Sequence, residues 1–177
     1  MFEATVREGV LRLRRPGTRW LSTGWDGGRS RAATGYNVAV PEGFDRTDLA
    51  AYRDERLARA GFDAEGNVEG DRDAAPTLFT GVSMDHARGA RVGPVVAYAT
   101  VGLSNPAMLP VEPEAASAAG TAGATESRDA TGRAEGRPDP GTVNLILGTT
   151  RRLAPGAAAN LVAVAAEAKA ATLLAAA

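Results

Sequence analysis

Through most of the first hundred residues, apolar and polar positions alternate by two, the period of a strand with one buried face. "FEATVRE" and "VLRLRR" follow this pattern on either side of Gly9, and Pro16-Gly17 turns the chain into "TRWLSTG". Residues 3–24 therefore read as a short antiparallel meander. "DGGRS" reads as a loop, and "AATGYNVAVP" as a fourth strand ended by Pro41. The period then lengthens. "TDLAAYRDERLARAG" has the spacing of an amphipathic helix, opening at Asp45 or Thr47 with a hydroxyl N-cap and stopping at Gly61. Asp63 to Pro76 reads as a polar loop. "TLFTGVS" and "VGPVVAYATVGL" return to strand, with "MDHARGAR" between them.

The pattern lapses at residues 112–140, which contain no Leu, Ile, Val or aromatic side chain. Such a segment cannot bury enough apolar area to offset the entropy of ordering, so it reads as a mobile surface insertion. Beyond it come the strand "TVNLILGTT", the turn "RRLAP" and a helix from about Pro155 to Leu174, with proline in its first turn. If the insertion is an excursion, "VGLSN" and "GTVN" are neighbours in space. The sum is about seven strands and two helices in one domain over residues 1–177. The expected fold class is α+β, a mixed and mainly antiparallel sheet with helices packed on it.

Composition narrows the function. The formal net charge is −1 and the pI about 5.9, so no basic field exists for nucleic acid. The absence of cysteine removes disulfides, thiolate nucleophiles and Cys-based metal sites. "MFEATVREGVLRLRRPG" lacks the apolar core of a signal peptide. The Ala-rich last helix carries Asn160, Glu167 and Lys169, so it reads as packed on several sides in a soluble protein rather than spanning a membrane. The cytoplasm is the default compartment. Of twenty basic residues only Lys169 is lysine, a bias that fits codon usage or a lysine-poor surface. It also fits a position that needs a compact ammonium rather than a rigid guanidinium fork.

Three segments place small and polar residues beside an apolar strand: "WLSTGWDGG", "ATVGLSNP" and "GTVN". Glycines there allow backbone amides to approach a ligand, and Ser, Thr and Asn add directional donors. Ordinary turn chemistry accounts for any one of them; three together point to a site. On the last helix Glu167 and Lys169 lie two apart and point in nearly opposite directions, so they do not simply pair. His86, the only histidine, stands beside Asp85 without a spaced partner, which suits a substrate contact better than a metal ligand. No HExxH or GxSxG pattern occurs.

The order of four blocks resembles the adenosylcobinamide amidohydrolase family of corrinoid salvage. They are "LSTGWDGG", "GVSMDHARGARVGPVVAYATVGLSN", "GTVNLILGTTRRL" and "AAEAKAATLL", running from Leu21 to Leu174. The polar "SMDHA" segment and Pro106 depart from the family pattern. The resemblance implies a hydrolase that cleaves the amide joining the aminopropanol arm to the corrin ring, giving adenosylcobyric acid. It implies a corrinoid partner and no separate cofactor, since the cobalt belongs to the substrate; a homodimer is left open.

For that reaction Thr142, or a water it holds, is the expected attacking group. Asn144, Asn105 and nearby glycine amides are expected to bind the oxyanion, and Glu167 or Lys169 to carry the proton. Ser22, Asp26, Gly27, His86, Ser104 and Asn105 are the expected substrate contacts, with Trp20, Trp25, Tyr36 and Tyr98 available as pocket walls. A non-catalytic corrinoid carrier is one alternative; stoichiometric binding without release of aminopropanol would mark it. A self-processing hydrolase with Thr142 as N-terminal nucleophile is another, which intact mass would reveal.

Overall fold

The computed structural model describes residues 2–62, 75–102 and 142–176. Strands β1 (Glu3–Arg7) and β2 (Val10–Arg14) form a hairpin closed by Glu8-Gly9. Both turn residues have positive φ, 46° and 73°. That geometry matches the right-handed twist of the flanking strands and explains the glycine. Strands β3 (Arg19–Ser22) and β4 (Gly28–Arg31) make a separate ribbon. β5 (Thr34–Ala39) joins β2, and helix α1 (Leu49–Arg59) carries the chain to β6 (Thr77–Thr80), parallel to β5. The sheet order is β1-β2-β5-β6. A second sheet, β7-β8-β9, contains Arg88–Val92, Val95–Val101 and Val143–Thr149, and helix α2 (Pro155–Ala176) follows.

The first sheet is the middle of three layers. On one face Val10, Tyr36 and Val38 pack against Tyr52 and Leu57 of α1 and against Phe62. On the other, Leu11 and Leu13 meet Met84, Val96, Tyr98 and Ile146 of the second sheet and its lead-in. β2 is therefore buried on both faces, and Arg12 is tolerated there because its guanidinium stacks 4.4 Å from the Phe62 ring centroid. Helix α1 ends in a paired turn: the Gly61 N–H donates to the Ala58 carbonyl and the Phe62 N–H to the Leu57 carbonyl. This places Phe62 on Leu57 and into the core.

The architecture is α+β and mostly antiparallel, as the sequence pattern implies, but among the described residues the strands form three groups rather than one sheet. β4 lies where a loop was expected, and β7 within the connecting "MDHARGAR" region; both are polar strands held by a neighbour's backbone. Helix α1 starts later than expected, with Asp48 as N-cap and no side-chain cap bond, because Arg46 holds the Asp48 carboxylate.

The expected adjacency across the insertion is present. Val101 pairs with Val143, and the Gly102 N–H donates to the Thr142 carbonyl at 3.0 Å. The insertion itself, 112–140, lies outside the described residues, as do 63–74 of the expected polar loop.

The last helix corrects an expectation. It is not packed on several sides. Only a stripe at Ala158, Leu161, Ala165, Lys169 and Leu173 is half-buried, while Val162, Val164 and Leu174 are exposed. With so many small residues the helix is apolar all round and has almost no amphipathic bias to seat more than one edge. By length and apolarity it is also sufficient to cross a membrane.

Candidate active site

A cleft of about 1000 Å³ separates strand β9 from the β3–β4 ribbon, with α2 along its rim. That is the upper end of the size range of small-molecule sites. Trp20 forms part of its wall; the indole N–H donates to the Ala32 carbonyl at 3.0 Å, and the ring lies over Gly35, where any Cβ would overlap it. Phe2 stacks on Trp20 at 5.4 Å between centroids and closes against Gly148 of β9.

Among the described residues β9 is the end strand of its sheet. Thr142 and Thr150 bond towards β8, through Gly102 and Pro94, so the even-numbered residues face their partner strand. Val143, Leu145, Leu147 and Thr149 consequently turn their N–H and C=O groups to the other edge, where β9 borders the cleft.

A chain of side-chain hydrogen bonds crosses between the two sheets at the mouth of β9. Asn144 Nδ2 donates to the Phe79 carbonyl at 3.0 Å and to Asn37 Oδ1 at 2.8 Å, and Asn37 Nδ2 donates to Thr100 Oγ1 at 3.0 Å. The Phe79 carbonyl can only accept, so the atom facing it must be the Asn144 amino group. That fixes Asn37 with its oxygen towards Asn144 and its amino group towards Thr100. Asn37 and Thr100 are almost fully buried, as such a network requires. Both hydrogens of Asn144 are thereby committed, and its free group is the Oδ1 acceptor. The expectation that Asn144 donates to an oxyanion is revised accordingly: in this arrangement it accepts.

Beside the cleft lies a small pocket of about 70 Å³, lined by Ser22, Trp25, Asp26, Gly27, Arg29 and Arg53 among others. Trp25 is pinned by a bridge to Thr77 and a ring contact with Phe79, and Asp26 holds a left-handed φ of 47°. Arg53 reaches it from α1, its side chain only 6% exposed, with Asp54 at 2.9 Å and the Trp25 ring beneath it.

The expected site residues divide clearly. Asn144, Lys169 and Ser22 line the cleft, with Trp20 and Tyr36; Asp26, Gly27 and Trp25 line the small pocket, which Ser22 also borders. Thr142 precedes Asn144 by two and is half-buried at the strand start, outside the cleft lining. Glu167 does not join Lys169. It is exposed on the far side of α2, because two residues along a helix turn a side chain by more than half a circle. His86 is exposed in a single 3-10 turn, Met84–His86, and borders neither pocket; Tyr98 is core. Ser104 and Asn105 lie outside the described residues. Among the described residues no cluster of His, Asp or Glu could hold a metal. Asn37, Thr100 and Arg53 belong to the site region without having been singled out. A polar residue on the core-facing register of an apolar strand was the available signal for Asn37.

A three-layer α+β fold with a large cleft and an adjoining polar pocket, lined in part by amide, hydroxyl and ammonium groups, has the geometry of a small-molecule site. Comparison with known proteins gives that class its family. Residues 2–177 match the family described as adenosylcobinamide amidohydrolase. The chain is 50% identical over 175 residues to the adenosylcobinamide amidohydrolase of Halobacterium salinarum, covering 99% of this chain and 67% of that protein. No solved structure matches. The chain belongs to the adenosylcobinamide amidohydrolase family, and its activity is that of a hydrolase.

Proposed function

We propose that the chain hydrolyses the amide joining the aminopropanol arm of adenosylcobinamide to the corrin ring, and that the scissile amide docks at the mouth of β9. The products are adenosylcobyric acid and the free amino alcohol. The observation that carries this placement is the oriented Asn144, whose Oδ1 is left to accept and which lines a cleft large enough for a macrocycle. A secondary amide offers one N–H, and a fixed acceptor beside it aligns the carbonyl for attack.

Water adds to the carbonyl carbon, the C–N bond breaks, and the departing amine takes a proton. Thr142, two residues before Asn144 and just outside the cleft lining, acts on the amide through the attacking water it holds. Lys169 is the titratable group of α2 at the cleft and carries the proton. The cobalt of the corrinoid belongs to the substrate, and no step here is routed through it. Turnover in the cytoplasm, as a salvage step, is the setting this reading takes.

Incubating the purified protein with adenosylcobinamide should release aminopropanol catalytically. Asn144→Asp, which turns the fixed donor towards Phe79 into a repelled carboxylate, should lower kcat at least about 100-fold. Stoichiometric corrinoid binding with no aminopropanol release would replace the hydrolytic reading with a carrier.

A further inference from the structure

The small pocket and the cleft share Ser22, Arg29, Ser30 and Pro76, so the two spaces meet along one wall. They differ more than tenfold in volume, about 70 against about 1000 Å³. A water-sized group needs roughly 10–15 Å³ of such space, so the pocket holds roughly five to seven. No part of a macrocycle fits there. A short chain does.

We propose that the small pocket is the subsite for the leaving aminopropanol arm, with the corrin ring in the cleft and the arm passing over the shared wall at Ser22. This assignment rests on the hydrolytic reading above and adds to it a determinant of arm specificity, Arg53 with Asp26. Beyond the amide nitrogen the arm has three carbons and one oxygen, a number the pocket accommodates. A phosphorylated arm has four further heavy atoms and exceeds it.

Charge leads to the same choice. The lining offers two guanidinium groups and one carboxylate, and the Arg53 charge is already matched by Asp54. A hydroxyl can donate to Asp26 and accept from an arginine or from Ser30. With Asp26 and Asp54 set against Arg29 and Arg53 the pocket has no net charge, so neither a phosphoryl dianion nor a cation is matched there. The walls are also set in advance. Ser22 Oγ accepts the Gly24 N–H at 3.1 Å, a Cβ on Gly27 would strike the Ser22 and Gly24 carbonyls, and Trp25 is fixed against Thr77. A left-handed aspartate at the rim is a conformation that side chains seldom adopt and that clusters at ligand sites.

The test is a comparison of three cobyric acid amides with the full-length protein: the aminopropanol amide, its phosphate ester, and the n-propylamine amide that lacks the hydroxyl. The wild type should favour aminopropanol over propylamine by about tenfold or more in kcat/KM, because an unpaired hydroxyl partner is costly. It should favour aminopropanol over the phosphate ester by a similar factor. Asp26→Ala and Arg53→Met should each bring the aminopropanol-to-propylamine ratio to within about threefold of unity. Asp26 is exposed, and an alanine at its left-handed φ costs only about 1–2 kcal/mol, so the result stands even if Arg53→Met is unstable. Equal wild-type turnover of all three amides, or unchanged selectivity in Asp26→Ala, would overturn the arm subsite while leaving the hydrolase intact. No turnover of any amide by the wild type would overturn the hydrolytic reading itself.

Discussion

Replacing Asn37 by Ala tests whether the amide chain between the sheets is as constrained as its geometry indicates. The substitution removes the bond donated to Thr100 at 3.0 Å and the one accepted from Asn144 at 2.8 Å. Each is worth about 1 kcal/mol net, and the Thr100 hydroxyl, wholly buried, is left without its donor at a further cost of about 1–3 kcal/mol. Asn37→Ala should therefore destabilise by about 3–5 kcal/mol. Thr100→Val alone strands the Asn37 amino group and costs about 1–3 kcal/mol. In the double variant no orphan hydroxyl remains, so the combined loss should fall short of the sum by about 1–3 kcal/mol. Urea unfolding of the four proteins, with the slope checked for constancy, measures this cycle. Additivity within about 0.5 kcal/mol, or a loss below about 1 kcal/mol for Asn37→Ala, would show that the chain is not a closed network and that Asn144 is not oriented by it.

Other outcomes follow from single features. Lys169→Met should lower kcat about 100-fold or more, whereas Glu167→Gln should leave it within about threefold, since only Lys169 borders the cleft; steady-state kinetics separates them. Gly148→Ala would drive a methyl into the Phe2 ring and within 3.1 Å of Val96 Cγ1, and should cost about 1–3 kcal/mol in thermal or urea unfolding. Arg46 binds both Asp48 and Glu55, and these hydrogen bonds hold both carboxyls below their usual values of 3.8 and 4.5. Lowered folded-state values mean stability that is present above those pH values and lost as pH falls through them. Arg46→Ala should flatten the stability profile below about pH 4.5 and do little to its pH dependence near neutrality.

Much of the fold was legible because its strongest strands carry their own pattern. Val10–Arg14, Thr34–Ala39, Val95–Val101 and Val143–Thr149 alternate or run apolar between turn residues, and the Glu8-Gly9 and Gly61 signals mark real turns. β4, "GRSR", and β7, "RGARV", were not legible, because their pairing is dictated by the partner strand and no side chain reports it. For the candidate site, the polar mouth of β9 and the "STGWDGG" loop were visible as local chemistry. What the sequence hid was direction. Nothing in "GYNVA" says that Asn37 meets Asn144 across 107 positions, nor that this contact spends the Asn144 donors. Helical phase separates Glu167 from Lys169, but only the seating of α2 decides which of them reaches the cleft.

Among the described residues no strand pairs with the outer edge of β9, and that edge carries a cost of another kind. "VNLILGT" is seven residues of apolar, strand-forming chain without charge or proline, and its outward backbone groups are a template that any other extended chain could copy. The polar ribbon and the long helix flank that edge across the cleft. Solubility and ligand access are therefore set by the same walls: a change that opens the cleft for a bulkier guest also uncovers a seam along which copies of the protein can aggregate.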